Sequence, residues 1–382
     1  MGASLHIGIL CHPTYGGSGV VASELALSLA AHGHEVHLFS QDVPPRLARA
    51  AGPVRMHVAQ GIPYPLFHST PHDLAITSAV LDLHRSEGLD ILHAHYALPH
   101  AVSAYLARAA ARADRGRPAP RVVTTLHGTD ITLVGADPSY APLTQFVIAQ
   151  SDAITAVSED LARRTRERFC LEEVRPCAIE VIPNFVDTSL FHPRAAPERR
   201  RGQGQVVHVS NSRPVKRVPW LVRAFAQASR DTQAVLTLVG DGPDQRACRE
   251  TTRELGIESR VRFLGERDAL PELLAAADVF ALASSEESFG LSALEAMSCA
   301  TAVVATRVGG VAEVVEDGRS GLLVAPDDLD GFARELRRVM LDADLSRSLG
   351  ERARARAIEA FSRDPIVARY EALYRRLLAQ EA

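Results

Sequence analysis

The sequence predicts an α/β protein made of two doubly wound parallel sheets with helices on their faces. Three observations predict it: short, almost wholly apolar runs of strand length, helix-length segments between them, and a second cycle of the same alternation after a break rich in proline and arginine. A length of 382 residues agrees, because single hydrophobic cores stop growing at about 250–300 residues.

The first cycle places strands at residues 5–10, 35–39, 91–93, 122–126, 153–157 and 179–182. Runs such as Val122-Val123-Thr124-Thr125-Leu126 lack a charged face, as strands covered on both sides should. Helices are expected at 19–31, where a small-residue turn leads into an apolar stripe, and at 72–85 and 97–113. The second cycle places strands at 206–210, 235–239, 261–264, 279–282 and 302–305, then helices at 329–340 and 345–360. Between the cycles, residues 192–202 combine proline, glycine and an arginine run with no apolar period, which reads as a solvated linker. The expected domains are 1–190 and 203–361. A last stripe of Val367, Tyr370, Leu373, Tyr374 and Leu377 predicts a helix within 362–382 that packs back on the first domain.

Composition narrows the function classes. Hydrophobic residues at 46% against 23% charged describe a globular chain, and a net charge of −4 argues against nucleic acid as a partner. Five cysteines, at 11, 170, 177, 248 and 299, show no metal-binding spacing and are too few for a disulfide scaffold, which favours a reducing cytoplasm. No apolar stretch reaches the roughly 18–20 residues that span a bilayer, and the start lacks a secretion signal. Stable membrane insertion is not expected; a homo-oligomer is compatible with the sequence. Among 42 basic residues the one lysine is Lys216. A compact ammonium suits a phosphate oxygen differently from the arginine fork.

The chemistry-bearing residues cluster just after predicted strands. Ser285 to Met297 runs from a small-residue loop through Ser288, Phe289 and Gly290 into a helix that begins near Leu291 and carries Glu295 about one turn in. Glu287 precedes that helix, whose first N–H groups lack intrahelical partners and point where a diphosphate would sit. An acidic helix N-terminus without a ligand is the plainer reading. Ser210-Asn211-Ser212-Arg213 follows the first strand of the second domain, and Arg213 with Lys216 is placed to clamp a diphosphate; a solvated basic helix start is the alternative. Gly240 and Arg267 follow the next two strands, where a nucleoside or an ordinary turn fits.

In the first domain, Gly16, Gly17, Ser18 and Gly19 open a helix after the first strand, as an anion or small-acceptor site or as a turn. The Gly-x-Gly-x-x-Gly spacing of a dinucleotide fold and its acidic partner are missing, which weighs against a nicotinamide-dependent oxidoreductase. His93 and His95 alternate on one strand, but no nearby Asp completes a metal set; His95 and Tyr96 are candidates to line a cleft. Thr125, His127 and Gly128 sit where another strand ends, with a core or capping histidine as the alternative.

Taken together, these residues resemble the family 4 retaining glycosyltransferases along nearly the whole chain. The Glu-x7-Glu signature is matched by Glu287 and Glu295, and the basic pair by Arg213 and Lys216. The resemblance implies the GT-B fold, two Rossmann-like domains facing across a cleft. It implies that Glu287 contacts the donor sugar, Glu295 the ribose, and Arg213 and Lys216 the diphosphate. Gly16 to Gly19, His93 to His100 and Thr124 to Asp130 are most similar to the subgroup that starts bacillithiol biosynthesis, which implies UDP-GlcNAc as donor and L-malate as acceptor. On that resemblance Gly16, Ser18, Tyr96 and Thr125 hold the acceptor and His127 lies near the donor sugar. Gly17, Ser210, Asn211, Gly240, Arg267, Ser288, Phe289, Gly290 and Leu291 join the donor site.

No Asp-x-Asp for a divalent ion is present, so metal and cofactor are expected to be absent. The resemblance also implies same-face attack with the leaving phosphate taking the acceptor proton; Glu287 as a covalent nucleophile is the lesser alternative. Competing functions are a family 4 enzyme with a lipid-linked sugar or inositol phosphate as acceptor, the oxidoreductase, and a noncatalytic nucleotide-binding module.

Overall fold

Among the described residues every strand runs parallel to its neighbours, in two separate sheets. The computed structural model describes residues 3–14, 16–49, 52–63, 70–114, 116–170, 178–194, 204–267 and 269–380. The linker expected at 192–202 lies outside them from residue 195 onward. Residues 1–183 with 364–382 form one compact unit, and 184–363 the other.

In the first unit the strands are β1 (His6–Leu10), β2 (Glu35–Ser40), β3 (Arg55–Val58), β4 (Ile91–His95), β5 (Arg121–Leu126), β6 (Ala153–Ala156) and β7 (Ile179–Val181). Their order is β3-β2-β1-β4-β5-β6-β7. Ile7, Ile9, Leu38, Ile91, Leu92 and Val123 are wholly buried. That explains the unbroken apolar runs: helices cover both faces, so neither face selects polar residues. The edge strand β3, Arg-Met-His-Val, has no fully buried residue, and its polarity hid it from the sequence reading.

The helix expected at 97–113 begins later. Residues Ala97–Ala101 form a separate turn, and the helix is Val102–Asp114. Pro99 is responsible: it pushes the preceding residue away from helical angles, and Leu98 is extended (φ −122°, ψ 132°).

The chain's last helix, Arg363–Ala379, belongs to this unit from Asp364 onward and buries Val367, Tyr370, Leu373, Tyr374 and Leu377. Tyr374 Oη lies 2.7 Å from His93 Nδ1, Arg376 pairs with Glu180 at 2.7 Å, and Glu371 reaches both His32 and His34 at 3.0 Å.

The second unit holds β8 (Gln205–Val209), β9 (Val235–Val239), β10 (Val261–Gly265), β11 (Val279–Leu282), β12 (Ala302–Thr306) and β13 (Leu322–Val324), in the order β10-β9-β8-β11-β12-β13. Its core gathers Val206, Leu236, Val279, Val304, Phe225 and Phe332. Strand β13, three residues long, was too short to show in the pattern.

Both sheets therefore reverse strand order once, between β1 and β4 and between β8 and β11. At such a switch point the loops leaving adjacent strands diverge to opposite faces and open a crevice beyond the carboxyl ends. Among the described cysteines, Cys11, Cys248 and Cys299 are free and buried, whereas Cys170 is disulfide-bonded, which composition did not anticipate.

Candidate active site

In the second unit the switch point sets the loop after β8 beside the loop after β11. Lys216 Nζ donates to Glu287 Oε2 at 2.5 Å, and Ser284 Oγ donates to the same oxygen at 3.1 Å. Both charged side chains are mostly covered, at 17% and 15% exposure. The Glu287 carbonyl accepts the Gly310 N–H at 3.0 Å, and a Cβ on Gly310 would lie 2.2 Å from the Ser288 carbonyl oxygen. The turn carrying Glu287 and Ser288 is thus held by bare backbone.

Gly290 caps the following helix, Leu291–Ser298, in the left-handed conformation (φ 95°), which glycine adopts without strain. Phe289 is buried edge-on against Phe361, with ring centroids 5.6 Å apart, and Glu295 is 7% exposed on the helix. Leu291 opens the helix, half-buried.

Arg213 starts the short turn Pro214–Lys216 and is exposed, with no ion pair among the described residues. Arg217, next to Lys216, is instead spent on structure: it donates to the carbonyls of Ala283 and Pro326, pairs with Asp327 at 3.1 Å and covers the Trp220 ring. Ser210 and Asn211 sit at the end of β8, and Gly240 at the end of β9 presses on them so closely that a Cβ would lie 1.9 Å from the Ser210 carbonyl oxygen. Arg267 is exposed just beyond β10. The structure brings Lys216 and Glu287 into contact and sets Ser210, Asn211 and Gly240 side by side.

In the first unit, Gly16 caps the helix Gly17–Ala31, and Ser18 is buried in its first turn. Gly19 allows that turn to sit against the strand end, since a Cβ there would lie 2.6 Å from the Thr14 carbonyl oxygen. Tyr96, after β4, has φ 98° and donates its N–H to the Thr125 carbonyl at 3.0 Å. Its ring lies 5.4 Å from that of His127 and 5.3 Å from that of His12. Thr125 itself is wholly buried, with Oγ1 2.7 Å from His93 Nε2 and 2.6 Å from Thr155 Oγ1. Its hydroxyl and carbonyl are both engaged, so this residue has a scaffolding place.

Sequence reasoning missed the places of Asp130 and His208, and the partner of His95, which it named only as a cleft candidate. Asp130, wholly buried, accepts the N–H groups of Ala97, Gly128 and His127 at 2.9, 2.8 and 3.2 Å, tying the loop after β5 to the turn after β4. Burial lifts its carboxyl to about 6 against the pull of those hydrogen bonds. His95 Nδ1 lies 2.9 Å from His127 Nε2, and burial holds both imidazoles neutral, His127 down to about 3. In the second unit His208 bridges the Ala281 carbonyl and Ser210 Oγ, at 2.8 Å each. Asp130 stood inside a motif that sequence reading singled out; nothing local marked His208.

One group among the described residues brings three metal-ligand atoms together, Glu35, His37 and Glu87, each within 4.8 Å of the others. Glu35 stands at the opposite end of its strand from the switch-point loops, and Arg55 already holds Glu87 at 2.6 Å. Among the described residues no helix is long and apolar enough to cross a membrane.

Residues 15–190 match the model of "Glycosyltransferase Family 4", and residues 203–342 that of "Glycosyl transferases group 1". The N-acetyl-alpha-D-glucosaminyl L-malate synthase of Bacillus anthracis is 42% identical over 377 residues, 97% of this chain and 96% of the relative. The chain belongs to glycosyltransferase family 4. Within family 4 it is also 32% identical to the D-inositol 3-phosphate glycosyltransferase of Saccharomonospora viridis, over 90% of this chain and 85% of that one.

Solved structures agree on the fold. Sucrose-phosphate synthase from Thermosynechococcus elongatus superposes with a TM-score of 0.81 at 24% identity, covering 98% of this chain and 100% of that one. Anabaena HepE in complex with UDP-glucose superposes at 0.77 with 23% identity, covering 98% and 100%. The architecture of both units is that of the GT-B glycosyltransferases, and the chain is a glycosyltransferase.

Proposed function

We propose that this glycosyltransferase moves N-acetylglucosamine from UDP-GlcNAc to the hydroxyl of L-malate with retention at the anomeric carbon, the first step toward bacillithiol. The observation that carries this reading is the near full-length identity of 42% to a relative named for that product. The Lys216–Glu287 contact at the switch point of the second unit is the chemistry to match.

Breaking the anomeric bond leaves positive charge on the sugar and adds negative charge to the departing diphosphate. Fixed donors aimed at the departing group stabilise that transition state most. Lys216, Arg213 and the N–H groups that open the helix at Leu291 fill this role, while Glu287 bonds sugar hydroxyls and Glu295 the ribose. Ser210, Asn211, Gly240 and Arg267 take the nucleoside side. In the first unit, Gly16, Ser18 and Tyr96 surround the acceptor carboxylates. His127, neutral at working pH, offers a hydrogen bond to the transferring sugar. The leaving phosphate oxygen takes the malate hydroxyl proton, so the protein supplies no nucleophile, and Lys216 and Arg213 meet the diphosphate charge that a metal ion would otherwise neutralise.

The test is incubation with UDP-GlcNAc and L-malate in the presence of a chelator, following UDP release and product mass. Malate-dependent release with a GlcNAc-malate product is expected. Release with inositol phosphate or a lipid-linked sugar, and none with malate, overturns the acceptor assignment.

A further inference from the structure

We infer that His208 is a positioning residue for the loop from Ser210 to Lys216, fixing the diphosphate-binding groups without touching the substrate. This rests on the donor-site reading above. His208 lies on β8, wholly buried. Its Nδ1 lies 2.8 Å from the Ala281 carbonyl on the neighbouring strand β11. A carbonyl only accepts, so Nδ1 carries the ring proton and Nε2 the lone pair. Nε2 then accepts a hydrogen bond from the Ser210 hydroxyl at 2.8 Å. Ser210 Oγ, its proton committed, accepts the N–H of Ser212 at 3.2 Å. Each link fixes the direction of the next, and the relay runs from the centre of the sheet to the loop.

The loop needs that support. Ser212 has φ 38°, a left-handed conformation that strains a non-glycine residue. Two hydrogen bonds hold it there: the relay from Ser210, and its own carbonyl accepting the Asp244 N–H at 2.9 Å. On the flank, a Cβ on Gly242 would lie 1.9 Å from the Asn211 carbonyl oxygen, so this side of the loop is buttressed by bare backbone as well. Arg213 follows Ser212 directly, and Lys216 closes the turn. An aliphatic residue at 208 would fill the strand equally well, but it would leave Ser210 Oγ free to rotate. Burial keeps the ring neutral, down to about 4, so the relay survives through the working pH range.

Asparagine and glutamine separate the two nitrogens. Asn at 208 sets an amide near Nδ1 and keeps the Ala281 bond without reaching Ser210, whereas Gln sets its amide near Nε2 and reaches Ser210. UDP affinity by calorimetry should fall roughly tenfold in His208→Asn and less than threefold in His208→Gln, with the KM for L-malate unchanged in both. His208→Asn added to Ser210→Ala should cost nothing beyond Ser210→Ala alone, because both break the same relay. The inference is overturned if the Asn and Gln variants lose UDP affinity equally, if Asn binds UDP as the wild type does, or if the two losses add. Wild-type protein that binds UDP but transfers nothing to malate overturns the acceptor reading alone, and the relay is still judged on UDP. Wild-type protein that does not bind UDP overturns both.

Discussion

Replacing Lys216 by methionine keeps the aliphatic stem and removes the ammonium that donates to Glu287 at 2.5 Å. Glu287, only 15% exposed, is then left with the Ser284 hydroxyl as its partner. Breaking a fully buried pair from one side costs about 3–5 kcal/mol, and the residual exposure here sets the expectation at about 2–3 kcal/mol. For a unit of this size that is a fall of roughly 5–10 °C in Tm. Glu287→Gln should cost less, about 1 kcal/mol, because the freed ammonium is long enough to reach water. The double variant should be more stable than Lys216→Met, since it removes the orphaned charge. Turnover should behave differently. Loss of one preorganised donor to the leaving group lowers kcat by about 10²–10³, and removing Glu287 as well should not restore it. Thermal melts and steady-state UDP release on the four proteins read both quantities. Turnover of Lys216→Met within threefold of wild type, or a double variant that regains activity with its stability, would refute the catalytic role.

Three further outcomes are expected. Gly310→Ala forces the Ser288 carbonyl away from a Cβ that would lie 2.2 Å from it, so UDP affinity should drop about tenfold and stability by about 1–3 kcal/mol, checked by calorimetry and melting. Asp130→Asn turns one acceptor oxygen toward N–H donors as an amide; the KM for malate should rise with UDP affinity unchanged, and equal effects on both would refute its local role. In the first unit, burial holds His93 and His127 down to about 3, so the unfolded chain binds protons below about pH 6.5 that the folded state refuses. Stability is full above that pH and is lost as pH falls, about 2 kcal/mol per histidine by pH 5; Asp130, raised to about 6, acts oppositely and returns about 1 kcal/mol. His95 and His100, also held neutral by burial, add to the loss, so urea melts should show clearly lower stability at pH 5 than at pH 7, and equal stabilities would overturn the neutral buried histidines.

What the sequence made legible follows from distance along the chain. A strand buried on both faces writes itself as an apolar run, so β1, β5, β9 and β12 were readable, while the polar edge strand β3 and the three-residue β13 were not. The turn from Glu287 to Gly290 was readable because a loop, a glycine cap and a helix follow one another directly. The Lys216–Glu287 contact spans 71 residues and exists because β8 and β11 are neighbours, which is a property of strand order. His208 and Asp130 act through hydrogen bonds to distant or irregular backbone and His95 through the ring of His127, and no local pattern announces such bonds. Thr125 shows the reverse: it stood in a suggestive motif, yet its hydroxyl is consumed by His93 and Thr155.

The single lysine among 42 basic residues now has a physical reason to be where it is. An ammonium carries three donors, and one is spent on Glu287. Two remain for phosphate oxygens without loss of the ion pair, so the group that anchors the carboxylate also serves the leaving group. A guanidinium in its place would fork both arms of one edge onto the carboxylate, one oxygen of which already accepts the Ser284 hydroxyl at 3.1 Å. Arg217, one residue on, shows what becomes of an arginine here: every arm is drawn into local carbonyls and Asp327. Lys216→Arg should therefore keep the charge and much of the stability, yet lose turnover by about 10-fold or more. Steady-state kinetics beside a thermal melt decide it. An arginine variant with wild-type kcat would show that charge alone suffices and that the shape of the ammonium is irrelevant.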